Sequence, residues 1–418
     1  MAKKGVSTII AVVLAIILLV VGLVIGLFTA SYVLPAPEKI EYTIGLAIAV
    51  SGPYAVDGPN RRDAALLGVE HMNDLLEAAG SPVTFVPIHE DSKGTTEGAL
   101  LAFEALTAAG AKVVVGPLSS GEVGAIKSFC DDNKIVSISP SSTSAALAVP
   151  NDYVFRMPPT DIPQAKALSQ LLGELNYTDV AIIGRNDDYG KGIANMFEDL
   201  FETNYGGTVE KLLYTVPAAD YATEVGELST TVATLGVAPT TAVMIIAFDD
   251  DGLNILTHAK DYPTTLGAVK WFGSESLKRP SFIPPAAPTA IGGFLVSVEL
   301  TGLFPTPSKG PVVTAFEEAY KAKYNRDPTP YCYFAYDAAR VACMSVLTAA
   351  EYDGEVIAKA LPKVCENYLG ASGYKKLDAN GDCAGANYVV WKVVLEAAEY
   401  KFKDIGIWDF ATEKLTFY

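Results

Sequence analysis

The 418-residue chain contains few of the residue types that most often carry metal or nucleophile chemistry. It has three histidines, His71, His89 and His258, and five cysteines. The histidines form no Ser/His/Asp or HExxH pattern, so hydrolase chemistry has little support. The cysteines form no CxxC pair and no Cys/His cluster, which argues against structural zinc. We therefore expect no catalytic residue, no metal and no cofactor.

Basic residues are also scarce, because 31 Lys and Arg stand against 48 Asp and Glu, for a formal net charge of −17. A nucleic-acid-binding protein needs a basic face for phosphates, and no stretch of this chain supplies one. Nucleic acid is thus excluded as a partner. The apolar content of 50% excludes a disordered chain, and the length is typical of two or three domains.

Three motif-like segments do not support the chemistry that they suggest. In "GRNDDYGKG" (184–192) there is one residue too many for a P-loop, and no Ser or Thr follows Lys191. In "DANGDC" (378–383) the acidic residues have EF-hand spacing, but Cys383 stands where the loop needs glycine. We interpret this segment as an Asn-Gly hairpin turn. The acidic run Asp249-Asp250-Asp251 is expected to be a solvated helix start rather than a metal site.

No charged residue occurs between Gly5 and Pro37, and the densest apolar part is Ile9–Phe28. About twenty helical residues span the roughly 30 Å core of a bilayer, whereas a cleavable signal peptide has an apolar core of only about 7–15 residues. Lys3 and Lys4 precede the run. The positive-inside rule then predicts a retained transmembrane helix at the cell membrane, with residues 38–418 outside the cytoplasm.

The opening segment "KKGVSTIIAVVLAIILLVVG" also resembles archaeal pilin-type (class III) signal sequences. In such sequences a peptidase cuts after a basic-Gly pair and leaves the apolar helix attached. The matching cut lies between Gly5 and Val6, and an uncleaved signal anchor is the alternative. Both alternatives tether the protein to the membrane.

An extracellular location permits disulfides. Cys365 and Cys383 flank a turn-rich segment and are the preferred pair, whereas Cys130 and Cys343 lie in helical patterns and are expected to be buried free thiols. The sequon Asn176-Tyr177-Thr178 predicts glycosylation of Asn176.

Beyond the N-terminal segment, short apolar runs alternate with helix-length amphipathic segments. This alternation predicts α/β architecture with parallel sheets covered on both faces, and two doubly wound domains are favoured over one sheet of nine or more strands. The predicted strands are Thr43–Val50, Val83–His89, Lys112–Val115, Ile135–Ser139, Asp179–Gly184, Val209–Val216, Ala242–Phe248, Val269–Phe272 and Phe294–Val298.

Loops that follow parallel strands are where such folds bind ligands, and three of them are informative. Ser119, Ser120 and Gly121 stand at a helix N-terminus, where free N–H groups favour an anion; the alternative is a simple serine N-cap. Ser141, Ser142 and Thr143 follow a neighbouring strand and could converge on the same carboxylate, although such residues are also ordinary in loops. Glu275 follows an apolar strand, so its carboxylate needs a cation, either a ligand ammonium or an arginine.

Together these segments resemble the type I periplasmic binding proteins of the leucine/isoleucine/valine-binding class, the solute receptors of ABC importers. The resemblance covers nearly all of residues 40–418. The segments that carry it, in order, are "IGLAIAVSGPYAVDG", "VVVGPLSSGE", "IVSISPSSTS", "VFRMPPTD", "VAIIGRNDDYGKG", "WFGSES", "YFAYDAARVA" and "IGIWDFATEKL".

The resemblance implies two Rossmann-like lobes joined by three crossovers, with the ligand in the cleft. Lobe 1 would comprise 40–160 plus 295–384, and lobe 2 would comprise 161–294 plus 385–418. The implied partners are an amino-acid ligand of branched-chain type and an ABC transporter permease.

The resemblance also implies a role for individual residues. The loops at Ser119–Gly121 and Ser142–Thr143 would bind the α-carboxylate, and Glu275 would accept the ammonium. Tyr189 would close over the ligand from lobe 2, and Phe248 would line the side-chain pocket. Asp57 departs from the family, because leucine-binding members have a bulky aromatic there. An acid at this position could admit a polar or basic ligand, or it could face solvent.

Three classes of function follow from these observations. An anchored solute receptor for an amino acid is favoured, with an amide, urea or other small polar solute as the alternative ligand. A pilin-like structural surface protein is the alternative from a different class. An enzyme is the least supported, because no catalytic constellation is present.

Overall fold

The computed structural model describes residues 8–33, 38–306 and 310–418. Its helices are α1 (Thr8–Val33), α2 (Gly58–Ala78), α3 (Thr96–Ala108), α4 (Ser120–Asn133), α5 (Asp161–Glu174), α6 (Asp188–Tyr205), α7 (Ala222–Leu235), α8 (Asp249–Ala259), α9 (Thr289–Ser297), α10 (Pro311–Tyr324), α11 (Cys332–Thr348) and α12 (Gly354–Cys365).

The chain also forms short strands, and seven of the nine predicted strands have both ends within two residues of the observed bounds. They are β1 (Ile40–Ala47), β2 (Val83–Glu90), β3 (Val113–Val115), β4 (Val136–Ser139), β5 (Val154–Pro159), β6 (Asp179–Arg185), β7 (Thr208–Tyr214), β8 (Thr241–Ile246), β9 (Lys270–Gly273), β10 (Thr301–Pro305), β11 (Leu369–Gly370), β12 (Gly373–Tyr374), β13 (Asp382–Cys383), β14 (Tyr388–Glu396), β15 (Glu399–Asp409) and β16 (Lys414–Phe417).

Two sheets form the centres of two lobes. The first sheet is parallel and has the order β13-β5-β4-β3-β1-β2; the second has the order β16-β15-β14-β10-β9-β8-β6-β7. In the second sheet the strands from β7 to β10 are parallel, and β14, β15 and β16 extend it as antiparallel strands. The first five strands of each lobe thus follow the same doubly wound order, 2-1-3-4-5, which confirms the predicted two-lobed α/β fold.

The central strands are apolar because helices cover both faces of each sheet. Every residue of β3, β4, β5 and β8 is buried. On the first sheet, one core cluster includes side chains of α2 and α11, and a second cluster lies beneath α3 and α4. The loops at the strand ends are therefore held by a rigid, close-packed frame.

The chain passes between the lobes three times: between β5 and α5, between β10 and α10, and between β13 and β14. The second crossing lies later than predicted. The prediction assigned residues from 295 onward to lobe 1, but β10 pairs with β9 and β14 and so belongs to lobe 2.

The predicted strand Phe294–Val298 is wrong, since Thr289–Ser297 forms helix α9. A short apolar run is compatible with either a buried helix or a buried strand, and its periodicity does not distinguish them. The strand of this region is β10, which follows a few residues later.

The N-terminal helix α1 contains no charged residue. The large apolar side chains described between Val12 and Ile25 are 46–69% exposed. Within the part of the chain that the structure describes, no helix meets the combined length and hydropathy of a membrane span. The predicted cleavage site between Gly5 and Val6 lies outside the described residues, as do Lys3 and Lys4.

All five cysteines are buried free thiols, including Cys130 and Cys343 as predicted. The predicted disulfide between Cys365 and Cys383 is not formed. Cys365 ends α12, and Cys383 lies in β13, where its Sγ is 3.9 Å from the carbonyl oxygen of Gly385. The two residues flank the turn-rich segment as predicted, but each belongs to a regular element, and their thiols are not linked. Burial, with a smaller contribution from the neighbouring Cys383, raises the pKa of Cys365 to about 12.

Candidate ligand-binding site

Loops from both lobes meet at the carboxyl ends of the parallel strands, where doubly wound folds bind ligands. The lobes are closed on each other and leave a cavity of about 10 Å³, which is room for about one water molecule. It is lined by Tyr54, Leu118, Ser119, Ser120, Ser141, Tyr189, Phe248, Glu275, Arg279 and Tyr331.

The loop between β3 and α4 contributes two serines with different tasks. The Ser119 hydroxyl accepts a hydrogen bond from the Glu122 amide (3.2 Å), and the Glu122 carboxylate accepts one from the Ser119 amide (2.8 Å). This is a capping box, so the Ser119 hydroxyl serves as the N-cap. Ser120 is the first residue of α4 and turns its hydroxyl toward the next loop. Gly121 lies in a wider outer groove of about 640 Å³ between the lobes.

The loop after β4 meets the first loop directly. The hydroxyls of Ser120 and Ser142 are 3.1 Å apart, and the Ser120 Oγ accepts a hydrogen bond from the Ser144 amide at 3.2 Å. The Ser142 amide donates to the Ser139 hydroxyl at 3.0 Å. The structure thus brings the two predicted hydroxyl loops together, while several of their amides bond within the loops. Carboxylate binding by these groups stays a prediction.

Glu275 follows β9 and is fully buried opposite these hydroxyls. Its Oε1 lies 3.0 Å from the hydroxyls of both Tyr189 and Tyr331, and its amide donates to Gln164 Oε1 at 2.8 Å. Among the residues that the structure describes, no lysine, arginine or histidine forms an ion pair with Glu275. Burial therefore raises the pKa of its carboxyl above the ordinary value.

Asp161 is a second buried acid beside Glu275, and the sequence analysis did not single it out. Burial first and the Glu275 charge second raise the pKa of Asp161 well above its ordinary value. The Thr143 hydroxyl partly offsets this rise, and the Oδ2 atom of Asp161 has no hydrogen-bond partner among the described residues. The only sequence signal was its position at the end of "VFRMPPTD", directly after a buried strand. The charge of Arg156 also lowers the pKa of Asp161, but Arg156 forms its ion pair with Asp382, and neither of the two acids has an ion pair with a lysine, arginine or histidine among the described residues.

Aromatic rings enclose the same cavity. Phe248 lies between Tyr189 and Tyr54, with ring centroids 5.1 Å and 5.6 Å away. Tyr189 comes from the N-terminus of α6, and Phe248 is the residue before α8, so lobe 2 supplies both. The structure thus places the two predicted residues at the cavity and adds Tyr54 and Tyr331, for which the sequence offered no distinct signal.

Asp57 is not available to a ligand, which corrects the expectation of a cleft or solvent-facing acid. Its Oδ2 pairs with Arg61 Nε at 2.7 Å, and its Oδ1 accepts a hydrogen bond from Thr329 at 2.6 Å. Burial would raise the pKa of Asp57, but the charges of Arg61 and Arg279 lower it overall. The chain next to Asp57 can take this path only with glycine at position 58, because a Cβ on Gly58 would lie 1.9 Å from the carbonyl oxygen of Ala49.

The acidic run at the start of α8 is also more buried than predicted. Asp249 pairs with Arg279 and Asp251 pairs with Arg185, and both acids are buried. The prediction of a solvated helix start is therefore wrong for Asp249 and Asp251. No group of His, Cys, Asp and Glu among the described residues is placed to hold a metal ion.

Asn176 lies in the exposed turn after α5, with a left-handed backbone (φ 63°). This position leaves the predicted sequon open to solvent. Its glycosylation stays a prediction.

The fold and the interlobe cavity together define a ligand-binding protein built on two doubly wound lobes. Residues 60–396 match the family described as the receptor family ligand binding region. The chain belongs to this family, and its resemblance to type I periplasmic binding proteins of the leucine/isoleucine/valine class is confirmed. It is accordingly a binding protein rather than an enzyme.

Relatives cover most of the chain at low identity. An uncharacterised protein of Methanocaldococcus jannaschii is 27% identical over 89% of this chain and 90% of its own length. A Pseudomonas aeruginosa protein named for binding leucine, isoleucine, valine, threonine and alanine is 25% identical over 90% of this chain and 95% of its own. A leucine-binding protein of Thermotoga maritima shares the fold, with a TM-score of 0.74 and 20% identity over 89% of this chain and 99% of that one.

Proposed function

We propose that this chain is the solute-binding component of an ABC importer and that it binds an α-amino acid between its lobes. One observation carries the proposal. Glu275 is a buried carboxylate held by tyrosine hydroxyls, with no cation partner among the described residues, and the hydroxyl loops lie on the other side of the same cavity. A zwitterionic ligand supplies the two charges that this arrangement can bind.

The ammonium of such a ligand would be bound by Glu275 and by the adjacent Asp161. An opposite charge at this distance favours ionisation of a carboxyl group, so the ligand would lower pKa values that burial has raised. The α-carboxylate would accept hydrogen bonds from Ser120, Ser142 and the N-terminus of α4, where the helix dipole favours an anion.

Lobe closure would accompany binding, because the two ends of the ligand meet different lobes. Ser120 and Ser142 belong to lobe 1, whereas Glu275 and Tyr189 belong to lobe 2. The cavity of about 10 Å³ is too small to hold an amino acid, so the lobes would stand further apart around a bound ligand than they do in this structure. The ligands named for the Pseudomonas aeruginosa relative share the α-amino acid group, and the proposal extends to that shared group.

Native mass spectrometry of the purified full-length protein, followed by titration with the twenty L-amino acids, tests this function. We expect a co-purified amino acid or a saturable heat of binding for at least one of them. The outcome that contradicts the proposal is binding of none of the twenty by protein whose folding is confirmed by circular dichroism.

We further propose that the N-terminal segment anchors the protein, with residues 38–418 outside the cytoplasm, where they would deliver ligand to a permease. The uncharged run from Gly5 to Pro37 and the lysines before it support this topology. Protease added to intact cells should digest residues beyond Glu38. Protection until the cells are lysed would contradict it.

A further inference from the structure

Two fully buried arginines converge beside the proposed amino-acid site, one from each lobe. Arg61 lies on α2 and is 0% exposed, and Arg279 follows the short helix that begins at Glu275 and is 1% exposed. Their Cζ atoms lie 4.2 Å and 5.6 Å from the centroid of the Tyr331 ring. Arginine is almost never fully buried unless it is paired. The hydrogen-bond partners of Arg61 and Arg279 therefore show whether their donors are all satisfied within the chain.

Each arginine has a carboxylate partner, but each pair is joined through a single nitrogen. Arg61 bonds Asp57 through Nε (2.7 Å) and Ser141 through Nη1 (2.9 Å), and Arg279 bonds Asp249 through Nη1 (2.7 Å). Arg61 Nη2 and Arg279 Nε are buried and have no hydrogen-bond partner among the described residues. Because an unmet buried donor is costly, both guanidinium groups are open to a further acceptor.

The position of the cavity indicates what kind of acceptor fits. Arg279 lines the cavity together with Glu275, whereas its partner Asp249 does not. Asp249 also has an oxygen without a partner, Oδ2, but it belongs to a residue outside the cavity lining. Of the Arg279–Asp249 pair, the cavity lining therefore includes only the arginine, which is a hydrogen-bond donor. The planar fork of a guanidinium matches a carboxylate, which can accept two hydrogen bonds from it.

We propose that the preferred ligand is an α-amino acid whose side chain ends in a carboxylate, with that carboxylate bound by Arg279, which lines the cavity. The inference rests on the proposed function, because it places the α-amino group at Glu275. Arg61 does not line the cavity, so its contacts with Asp57 and Tyr331 belong to the framework beside the site.

The wild-type protein provides the first test. The purified full-length chain is titrated with L-glutamate and L-aspartate, and with the near-isosteric neutral pair L-glutamine and L-asparagine, with L-leucine as the aliphatic reference. An acidic amino acid should bind at least about tenfold more tightly than its amide and than leucine, since hydrogen bonds between charged groups are the strong ones.

The outcomes separate this inference from the proposed function. If an amide or leucine binds as tightly as the acids or more tightly, the side-chain assignment is wrong while the α-amino acid site stands. If no amino acid binds, the proposed function is wrong as well.

Variants then test whether Arg279 produces the preference for an acidic side chain. Arg279→Gln should reduce the preference for glutamate over glutamine to about twofold or less, and the double variant Arg279→Gln/Asp249→Asn removes both charges of the pair if the single variant does not fold. Lys278→Gln is the matched control, because it makes the same charge change one residue away, where the lysine pairs with the exposed Asp404 at 2.8 Å. A full glutamate preference in both Arg279 variants would overturn the assignment.

Discussion

Asp57 and Glu275 are both 2% exposed, but their surroundings differ in one respect. Asp57 has an arginine 2.7 Å away, and the arginine charges lower its pKa even though burial alone would raise it. Glu275 has only hydroxyl and amide partners, and burial raises its pKa. A buried acid that the chain neutralises is part of the framework, whereas one that the chain leaves without a cation is suited to binding one.

This difference predicts opposite behaviour of two similar substitutions. Removing the charge of Glu275 should affect ligand affinity and spare the fold. Removing the charge of Asp57 should affect the fold first.

The largest effect is expected for Glu275→Gln, which keeps the shape of the side chain and removes its charge. Breaking one side of a buried charge pair costs about 3–5 kcal/mol, so affinity for the bound amino acid should fall a few hundredfold or more. Isothermal titration of the purified variant measures this loss. Unchanged affinity would show that Glu275 does not hold the ammonium.

Asp57→Asn should lower the free energy of unfolding by about 3 kcal/mol, because it leaves Arg61 buried beside an uncharged amide. Urea denaturation followed by circular dichroism gives this value, with Glu275→Gln as the matched variant of similar burial. We expect Glu275→Gln to be as stable as the wild type or more stable. Equal destabilisation by both variants would remove the distinction between the two acids.

Substitutions of the two serines of the β3–α4 loop should likewise differ, because one should affect ligand affinity and the other stability. Ser120→Ala removes only a hydroxyl and leaves the amides, so it should weaken binding roughly tenfold to a hundredfold. Ser119→Ala removes an N-cap and should cost about 0.5–2 kcal/mol of stability with little change in affinity. A larger affinity loss for Ser119→Ala than for Ser120→Ala would reverse these assignments.

The contributions of Asp57 and Glu275 to the free energy of unfolding should change with pH in opposite directions. Because the pKa of Asp57 is lowered by folding, its contribution is present above the unfolded pKa of about 3.9 and is lost as the pH falls through the lowered value. Because the pKa of Glu275 is raised, its stabilising contribution is present below the unfolded pKa of about 4.3 and is lost as the pH rises through the raised value.

Urea titrations of both variants without ligand, from about pH 2 to about pH 8, measure these contributions. The advantage of Glu275→Gln over the wild type should grow with pH, by about 1.4 kcal/mol per unit at most. The disadvantage of Asp57→Asn should stay constant above about pH 4 and shrink on acidification below it. The same sign of slope for both variants would contradict the account.

Much of the fold could be predicted because its signals are local. The alternation of buried strands and capped helices indicates two doubly wound lobes, and the loops at Ser120, Ser142 and Glu275 follow from the positions of the strand ends. The α9 region was misread because a short apolar run has no decisive period, and only its pairing in space shows that β10 is the strand.

The electrostatics of the site could not be predicted, because partners far apart in sequence decide them. Asp249 and Arg279 are 30 residues apart, and Arg61 and Ser141 are 80 apart. In sequence, Asp57 and Glu275 each precede an arginine by four residues, Arg61 and Arg279, but only Asp57 pairs with its own, so the local spacing does not distinguish the two acids. The role of Asp161 depends in the same way on its approach to Glu275 within lobe 2.

The central claim is that the cleft binds the ammonium and the α-carboxylate of one ligand. The most direct measurement is calorimetric titration of the full-length protein with its tightest-binding L-amino acid, with the matching amine that lacks the α-carboxylate, and with the matching acid that lacks the ammonium. We expect each analogue to bind at least about a hundredfold more weakly, because each leaves buried groups of the cleft without their partner. If the amine binds as well as the amino acid, no carboxylate is recognised, and the cleft would instead fit an amide, urea or another small polar solute.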